Sequence, residues 1–188
     1  MSVGSDQPSA WVIRFVPLLP PGDVLDLACG SGRHARLLHG LRHPVLALDR
    51  NPDVLAALAA TGIATLRHDL ESGAHGWPFE SGRFAGIIVA NYLHRPLFPH
   101  IFDSLAPRGL LIYETFAQGQ ERFGKPSNPD FLLAPGELLD RVRAYSTKSL
   151  QVLAFEDGYV ADPKPAMVQR ICVRKVEDSL SADSMRLF

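Results

Sequence analysis

Val24-Leu25-Asp26-Leu27-Ala28-Cys29-Gly30-Ser31-Gly32-Arg33-His34 is the stretch that decides the fold. A short apolar run carries one carboxylate, breaks at two glycines one residue apart, and continues into Ala35-Arg36-Leu37-Leu38-His39-Gly40-Leu41. Helical spacing there places Ala35, Leu38 and Leu41 on one stripe. A buried strand that feeds a tight glycine turn and a helix start is a seat for a nucleotide-like ligand. Glycine lets the backbone approach closely, and the helix N-terminus offers free N–H groups and partial positive charge.

Working outward, the same alternation repeats. Pro8 to Leu19 reads as a leading helix with Trp11, Phe15 and Leu18 inward, ended by Pro20-Pro21-Gly22. Strands follow at about 23–28, 44–49, 63–68, 84–91 and 110–115, the fourth apolar on both faces and therefore central. Asn51 as N-cap, Pro52 in the first turn and Gly62 as a stop bracket the helix between the second and third. A helix over Phe98 to Ala106, closed by Pro107-Arg108-Gly109, precedes the fifth strand. After a polar stretch from Ala117 to Leu133 and a short helix over Pro135 to Arg143, two strands at 147–156 and 166–175 have no helix between them. Their join implies an antiparallel hairpin. The expected fold is α/β: a Rossmann-like three-layer sandwich whose seven-stranded sheet is mostly parallel and ends in a C-terminal antiparallel hairpin. One domain over 1–188 is expected, with an N-terminal helix in 1–22, a core over 23–175 and a polar tail at 176–188.

The totals narrow the function classes. At 188 residues, 46% hydrophobic and 21% charged, the chain suits one soluble core. A net charge of −1 offers no basic footprint for nucleic acid. Cys29 and Cys172 form neither a metal-ligand spacing nor a disulfide framework, so a cytoplasmic setting is expected, and Cys29 reads as a small filler of the turn. No run is apolar for long enough to span a membrane, and no export signal opens the chain. A monomer or homodimer acting on a small molecule, with no membrane or nucleic-acid partner and no metal, is the expectation.

The glycine turn alone leaves the nucleotide open. Gly30-Ser31-Gly32-Arg33-His34-Ala35 satisfies the G-x-G-x-x-G/A dinucleotide pattern, and Asp49 follows Gly32 by 17 residues, near the spacing of a ribose-binding acid. The carboxylates discriminate. Asp26 lies inside an apolar strand, where an uncompensated charge is costly and a cation would relieve it. Asp69 closes the third strand, where it suits an adenine amino group while the Leu70 N–H meets the ring. Three acids around one turn suit a cationic adenosyl ligand and repel a diphosphate.

These motifs resemble the class I S-adenosylmethionine-dependent methyltransferases over about residues 10–175. Asp26-Leu27-Ala28-Cys29-Gly30-Ser31-Gly32 is similar to the family's first motif, with Ala28 where many members have glycine; Asp49 matches the ribose acid and Asp69-Leu70 the adenine-contacting pair. Asn91-Tyr92-Leu93-His94-Arg95 lies where the motif after the fourth strand lies. The resemblance implies S-adenosylmethionine as cofactor and S-adenosylhomocysteine as product. It implies a cofactor shell of Asp26, Ala28, Gly30, Gly32, Arg33, Asp49, Arg50, Asp69, Leu70 and Asn91. Tyr92-Leu93-His94-Arg95 and Leu150 to Glu156 are also similar to tellurite-resistance methyltransferases, which says little about substrate.

Methyl transfer from a sulfonium is an in-line displacement that needs alignment more than proton transfer, so a missing triad is uninformative. Candidates around the acceptor are Tyr92, His94, Arg95, Glu114 and Phe116. Tyr92 reads as a pocket wall and His94 as a pocket group or a cap. Arg95 reads as an anchor for an anionic acceptor or the partner of a structural carboxylate, and Glu114 as a pocket group or a bond to the 117–133 loop. Trp11 and Trp77 are adenosine-flanking or core; His39, His43 and His68 read as surface. No Asn-Pro-Pro-Tyr signature for amide or exocyclic amine nitrogen is present, which favours a thiol, a chalcogen oxyanion or another small nucleophile as acceptor. The 117–133 stretch, with Arg122 and Lys125, is expected to be a lid. Two rival readings remain: a nicotinamide-dependent oxidoreductase using the same glycine turn, and a non-catalytic cofactor-binding module.

Overall fold

The structure is a computed structural model, and it describes residues 6–73, 76–145 and 149–176. The tail expected at 176–188 lies outside these residues beyond Val176, as do 147 and 148 of the sixth expected strand.

Among the described residues, seven strands form one sheet: β1 (Val24–Leu27), β2 (Val45–Asp49), β3 (Ala64–Arg67), β4 (Phe84–Ala90), β5 (Leu105–Phe116), β6 (Leu150–Val160) and β7 (Ala166–Lys175). Their order is β3-β2-β1-β4-β5-β7-β6. The first five pair in parallel, and β7 inserts antiparallel between β5 and β6. The chain builds outward from β1 in one direction and then crosses to β4 on the other side. The carboxyl ends of β1 and β4 therefore flank a topological switch point, where open α/β sheets bind ligands.

Alternation along the strands explains the two cores. Leu25, Leu27, Ile87, Val89, Leu111 and Tyr113 face one side, against Phe98, Ile101 and Phe102 of α4 (Phe98–Ser104) and Leu138 and Val142 of α5 (Glu137–Tyr145). Val24, Ile88, Leu110 and Ile112 face the other, against α1 (Ala10–Phe15), α2 (Arg33–Gly40) and α3 (Pro52–Ala59). Each large side chain so buried contributes about 1.5–3 kcal/mol relative to exposure. Gly86 in β4 leaves room for Leu19: a Cβ there would stand 2.3 Å from the Leu19 side chain.

Some boundaries depart from the expected ones. Leu41 caps α2 instead of continuing it and is 54% exposed, so the apolar stripe is Ala35 and Leu38 alone. The fourth helix ends at Ser104, two residues early, and Pro107-Arg108-Gly109 lies within β5 rather than before it. Pairing with β4 jumps from Phe84↔Leu105 to Gly86↔Leu110, so the extra residues bulge out of register with Arg108 at φ +65°. Leu18 is half-buried in a short 3₁₀ turn after α1, whereas Trp11 and Phe15 are buried. Asn51 caps α3 by accepting from the Asp53 N–H at 3.0 Å.

Candidate active site at the strand tips

Residues at the carboxyl ends of β1, β2, β3, β4 and β5 converge on one cavity of about 490 Å³. Ala28, Asp49, Arg50, Asp69 and Leu70 line the part over β1 to β3. Asn91, Tyr92, Leu93, Thr115 and Phe116 line the part over β4 and β5. Pro126 and Phe131, from the 117–133 stretch, complete the wall.

The turn after β1 is held by carboxylates. Asp49 Oδ2 accepts the Gly30 N–H at 2.9 Å, and Oδ1 accepts the Asn51 N–H at 2.9 Å. Asp26 points to the α2 side of the sheet, is 1% exposed, and accepts the Ala35 N–H at 2.8 Å. It thereby fills the first turn of α2, where a carboxylate is favoured by the helix dipole. Burial nevertheless dominates and pushes its pKa up to about 7, against the Ala35 bond and the nearby Arg33 charge. The expectation that Asp26 faces the ligand is corrected accordingly: it braces the turn from beneath and does not line the cavity. Gly32 too braces rather than lines. It sits at φ +76°, and a Cβ there would come within 2.4 Å of Leu58 on α3. Gly30, at φ +51°, has nothing within 4 Å of a would-be Cβ. Ala28 holds φ +51° with a side chain, a conformation costing roughly 1–2 kcal/mol. Arg33 is the first residue of α2 and lies outside the cavity wall, half-buried. Burial, reinforced by Asp26 and Asp49, pushes the Cys29 thiol up to about 12, consistent with a filler.

Asp69 Oδ1 accepts the Glu71 N–H at 3.0 Å and leaves the carboxylate at the mouth. Glu71 was not singled out in the sequence. It lines the cavity and accepts from the Tyr92 hydroxyl at 3.3 Å. Burial first, then the Glu71 charge, raises the Tyr92 pKa and keeps that hydroxyl protonated. Tyr113 donates to the Tyr92 carbonyl at 2.8 Å, fixing the loop after β4 from below. His68, expected at the surface, is half-buried in the cavity wall. Thr115 was also missed; it follows an inward-facing run of β5, and only the strand end marks it as a site residue.

Several acceptor-side expectations are redirected. Arg95 donates Nε and Nη2 to the two carboxylate oxygens of Glu137 at 2.8 and 2.9 Å. Nη1 donates to the Asp130 carbonyl at 2.6 Å and Nη2 also to the Leu132 carbonyl at 2.8 Å. It is the partner of a structural carboxylate, clasping the 117–133 stretch to α5, and it does not line the cavity. Burial alone would raise the Glu137 pKa, but Arg95, the Ala134 N–H and Arg141 hold it down at about 2. Glu114 is 7% exposed and pairs with Arg170 of β7 at 3.1 Å, away from both the loop and the cavity. His94 is half-buried outside the cavity wall, its carbonyl accepting from Leu97. The tryptophans are structural: Trp11 donates to the Ile171 carbonyl at 3.4 Å, and Trp77 to Ser104 Oγ at 2.9 Å while stacked near His100.

The 117–133 stretch is anchored at its base. Ala117 bridges Leu133, the Gln118 N–H donates to the Leu133 carbonyl, and the Leu133 N–H returns to the Phe116 carbonyl. Buried Gln120 accepts the Met167 N–H and donates to the Lys125 carbonyl, holding the stretch against β7. Arg122 and Lys125 are exposed and do not line the cavity.

Residues 24–109 match the family model described as a methyltransferase domain. Among curated proteins, a trans-aconitate 2-methyltransferase of Methylobacterium nodulans is 35% identical over 112 residues, 56% of this chain and 42% of the relative. The match thus spans less than half the length of that relative. Among solved structures, TehB from Haemophilus influenzae superposes with a TM-score of 0.68 at 20% identity, covering 89% of this chain and 62% of that one. An S-adenosylmethionine-dependent methyltransferase from Mesorhizobium loti gives 0.67 at 18% identity, covering 89% and 99%. Residues 24–109 are thus a match to the methyltransferase domain family, set in the fold of the class I S-adenosylmethionine-dependent methyltransferases that the motifs resemble.

Proposed function

We propose that this protein transfers a methyl group from S-adenosylmethionine to a small-molecule acceptor. The observation that carries this reading is the occupation of the turn's backbone donors. Gly30 N–H is spent on Asp49 and Ala35 N–H on Asp26, so two of the donors that would cradle a diphosphate already serve anions. Among the described residues, three carboxylates, Asp49, Asp69 and Glu71, line the cavity against one guanidinium, Arg50. That field favours a cationic nucleoside over a dinucleotide.

The residues present fit such a ligand. Asp49, at the β2 tip, would accept from the ribose hydroxyls. Asp69 and the Leu70 N–H would meet the adenine, with Leu48 and His68 beside it. Ala28 and Gly30 would run beside the amino-acid tail in their left-handed conformations. Arg50 and Asn91 would close the two flanks. When bound, the cofactor supplies an electrophilic methyl group on a sulfonium that departs as a neutral thioether.

The rest falls to the chain. Asn91, Tyr92, Thr115 and Phe116 hold the acceptor in line with the methyl group, and Pro126 and Phe131 shield the gap from water. The acceptor lone pair forms the new bond as the carbon–sulfur pair withdraws to sulfur, and any acceptor proton leaves to Glu71 or water. The 117–133 stretch acts as the lid over this end.

The test is S-adenosylhomocysteine release across a panel of small thiols, oxyanions and carboxylates, with trans-aconitate, named in the matched relative, included. Release with at least one small acceptor supports the reading. Tight cofactor binding with no release across the panel favours a non-catalytic module. Removing residues 118–130 should abolish release and leave cofactor affinity nearly intact; equal loss of both contradicts the lid.

A further inference from the structure

From the acceptor end of the cavity we infer that the acceptor is an uncharged molecule with a flat apolar or aromatic body, not a polyanion. The inference rests on the methyltransferase reading and narrows its substrate class. Over β4 and β5 the wall consists of Tyr92, Leu93, Phe116, Pro126 and Phe131, with the Asn91 amide and Thr115 hydroxyl as its uncharged polar groups. Such a wall gains from apolar and ring contact and offers an oxyanion no cationic partner.

Among the described residues, no cation belongs to the part of the wall over β4 and β5. Arg95 is turned onto Glu137 and the Asp130 and Leu132 carbonyls and lies outside the cavity wall. Arg170 lies between Glu114 and Glu156. His94 is outside the wall, and Arg122 and Lys125 are exposed on the lid stretch. Arg50 follows Asp49 at the tip of β2, and its positive charge is felt at the Tyr92 hydroxyl, but Glu71 and Asp69 act there more strongly. The charge nearest the acceptor is negative: Glu71, bound to the Tyr92 hydroxyl. An anion entering here would lose its hydration against a carboxylate, a cost that the wall does not offset. A neutral body meets no such penalty. Phe131 lines the cavity and is 51% exposed, so it has apolar surface left for a ligand to cover.

The experiment is calorimetric titration of the full chain, first with S-adenosylhomocysteine, then of the saturated complex with benzyl mercaptan, mercaptosuccinate and selenite. The two thiols share a nucleophile and differ in ring against carboxylates. Benzyl mercaptan should bind at least tenfold more tightly than either anion. Phe131→Ala should weaken benzyl mercaptan about tenfold while S-adenosylhomocysteine affinity stays within twofold. Mercaptosuccinate or selenite binding as tightly as benzyl mercaptan, or no measurable benzyl mercaptan binding to the complex, overturns the inference and leaves the methyltransferase reading standing. Failure of S-adenosylhomocysteine itself to bind overturns that reading and this inference with it.

Discussion

Asp49 accepts the Gly30 N–H at 2.9 Å, linking the tip of β2 to the glycine turn after β1. One carboxylate thus shapes the turn and faces the cavity. Asp49→Ala should therefore weaken S-adenosylhomocysteine binding by about 1.5–3 kcal/mol, the range for hydrogen bonds to a charged group. Titration calorimetry checks this, with a thermal melt to verify folding. An unchanged affinity would contradict the ribose role proposed for Asp49.

Gly32 meets two demands at once, a left-handed backbone and contact with Leu58. Gly32→Ala should cost about 2–4 kcal/mol, combining αL strain with overpacking. Urea unfolding measures it. Gly30→Ala keeps the αL strain but has open space around its Cβ, so it should cost about half as much. Equal losses would contradict the packing argument.

Asp26 and His34 give opposite pH dependences. The Asp26 pKa is about 7, above its unfolded value, so its neutral form favours the fold below about pH 4 and this contribution is lost as pH rises to 7. His34 is 2% exposed and accepts the Ser9 N–H at 3.1 Å. Burial, then the Arg33 charge, lowers its pKa to about 4, so its contribution is complete above about pH 6.5 and lost as pH falls toward 4. Each effect is about 3–4 kcal/mol in size and they oppose each other. Unfolding free energy should be nearly flat between pH 4.5 and 6.5. Asp26→Asn should leave a stability that climbs with pH across that window, and His34→Gln one that declines. A flat profile in both variants would contradict the assignment.

The Arg95 clasp holds the 117–133 stretch against α5. Arg95→Met removes both Glu137 contacts and both carbonyl contacts, which should loosen residues 128–133 and leave Glu137 partly buried without its main partner. The expected outcome is faster hydrogen exchange at Leu132 and Leu133 and a stability loss of about 1–3 kcal/mol. S-adenosylhomocysteine affinity should change little. A large loss of that affinity would place Arg95 in the cofactor site instead.

Most of the fold was legible because each crossover carries its own punctuation: Asn51-Pro52 opening α3, Gly62 after it, and a hairpin without a helix between β6 and β7. What failed was local chemistry overridden by pairing. Pro107-Arg108-Gly109 looks like a break, yet β4 accommodates it as a bulge, and Gly109 packs where a Cβ would touch the Ala106 and Phe84 carbonyls. Leu41 fits the helical stripe by spacing, but the helix ends first.

At the site, residues at strand tips were readable from position, as Asp49, Asp69 and Tyr92 show. Those whose roles depend on distant partners were not. Arg95 is 42 residues from Glu137, and Glu114 is 56 from Arg170. No local pattern announces either pair. Glu71 sits one residue past the Asp69-Leu70 pair, and Thr115 lies between the candidates Glu114 and Phe116; both are revealed only by the cavity they line.

The central claim, that this turn and its acids hold an adenosyl cation and not a diphosphate, is tested most directly by parallel calorimetric titration with S-adenosylmethionine and NAD. The account predicts saturable one-to-one binding of S-adenosylmethionine, weakened by Asp49→Ala, with no heat attributable to NAD. Tight NAD binding without a response to S-adenosylmethionine would contradict it.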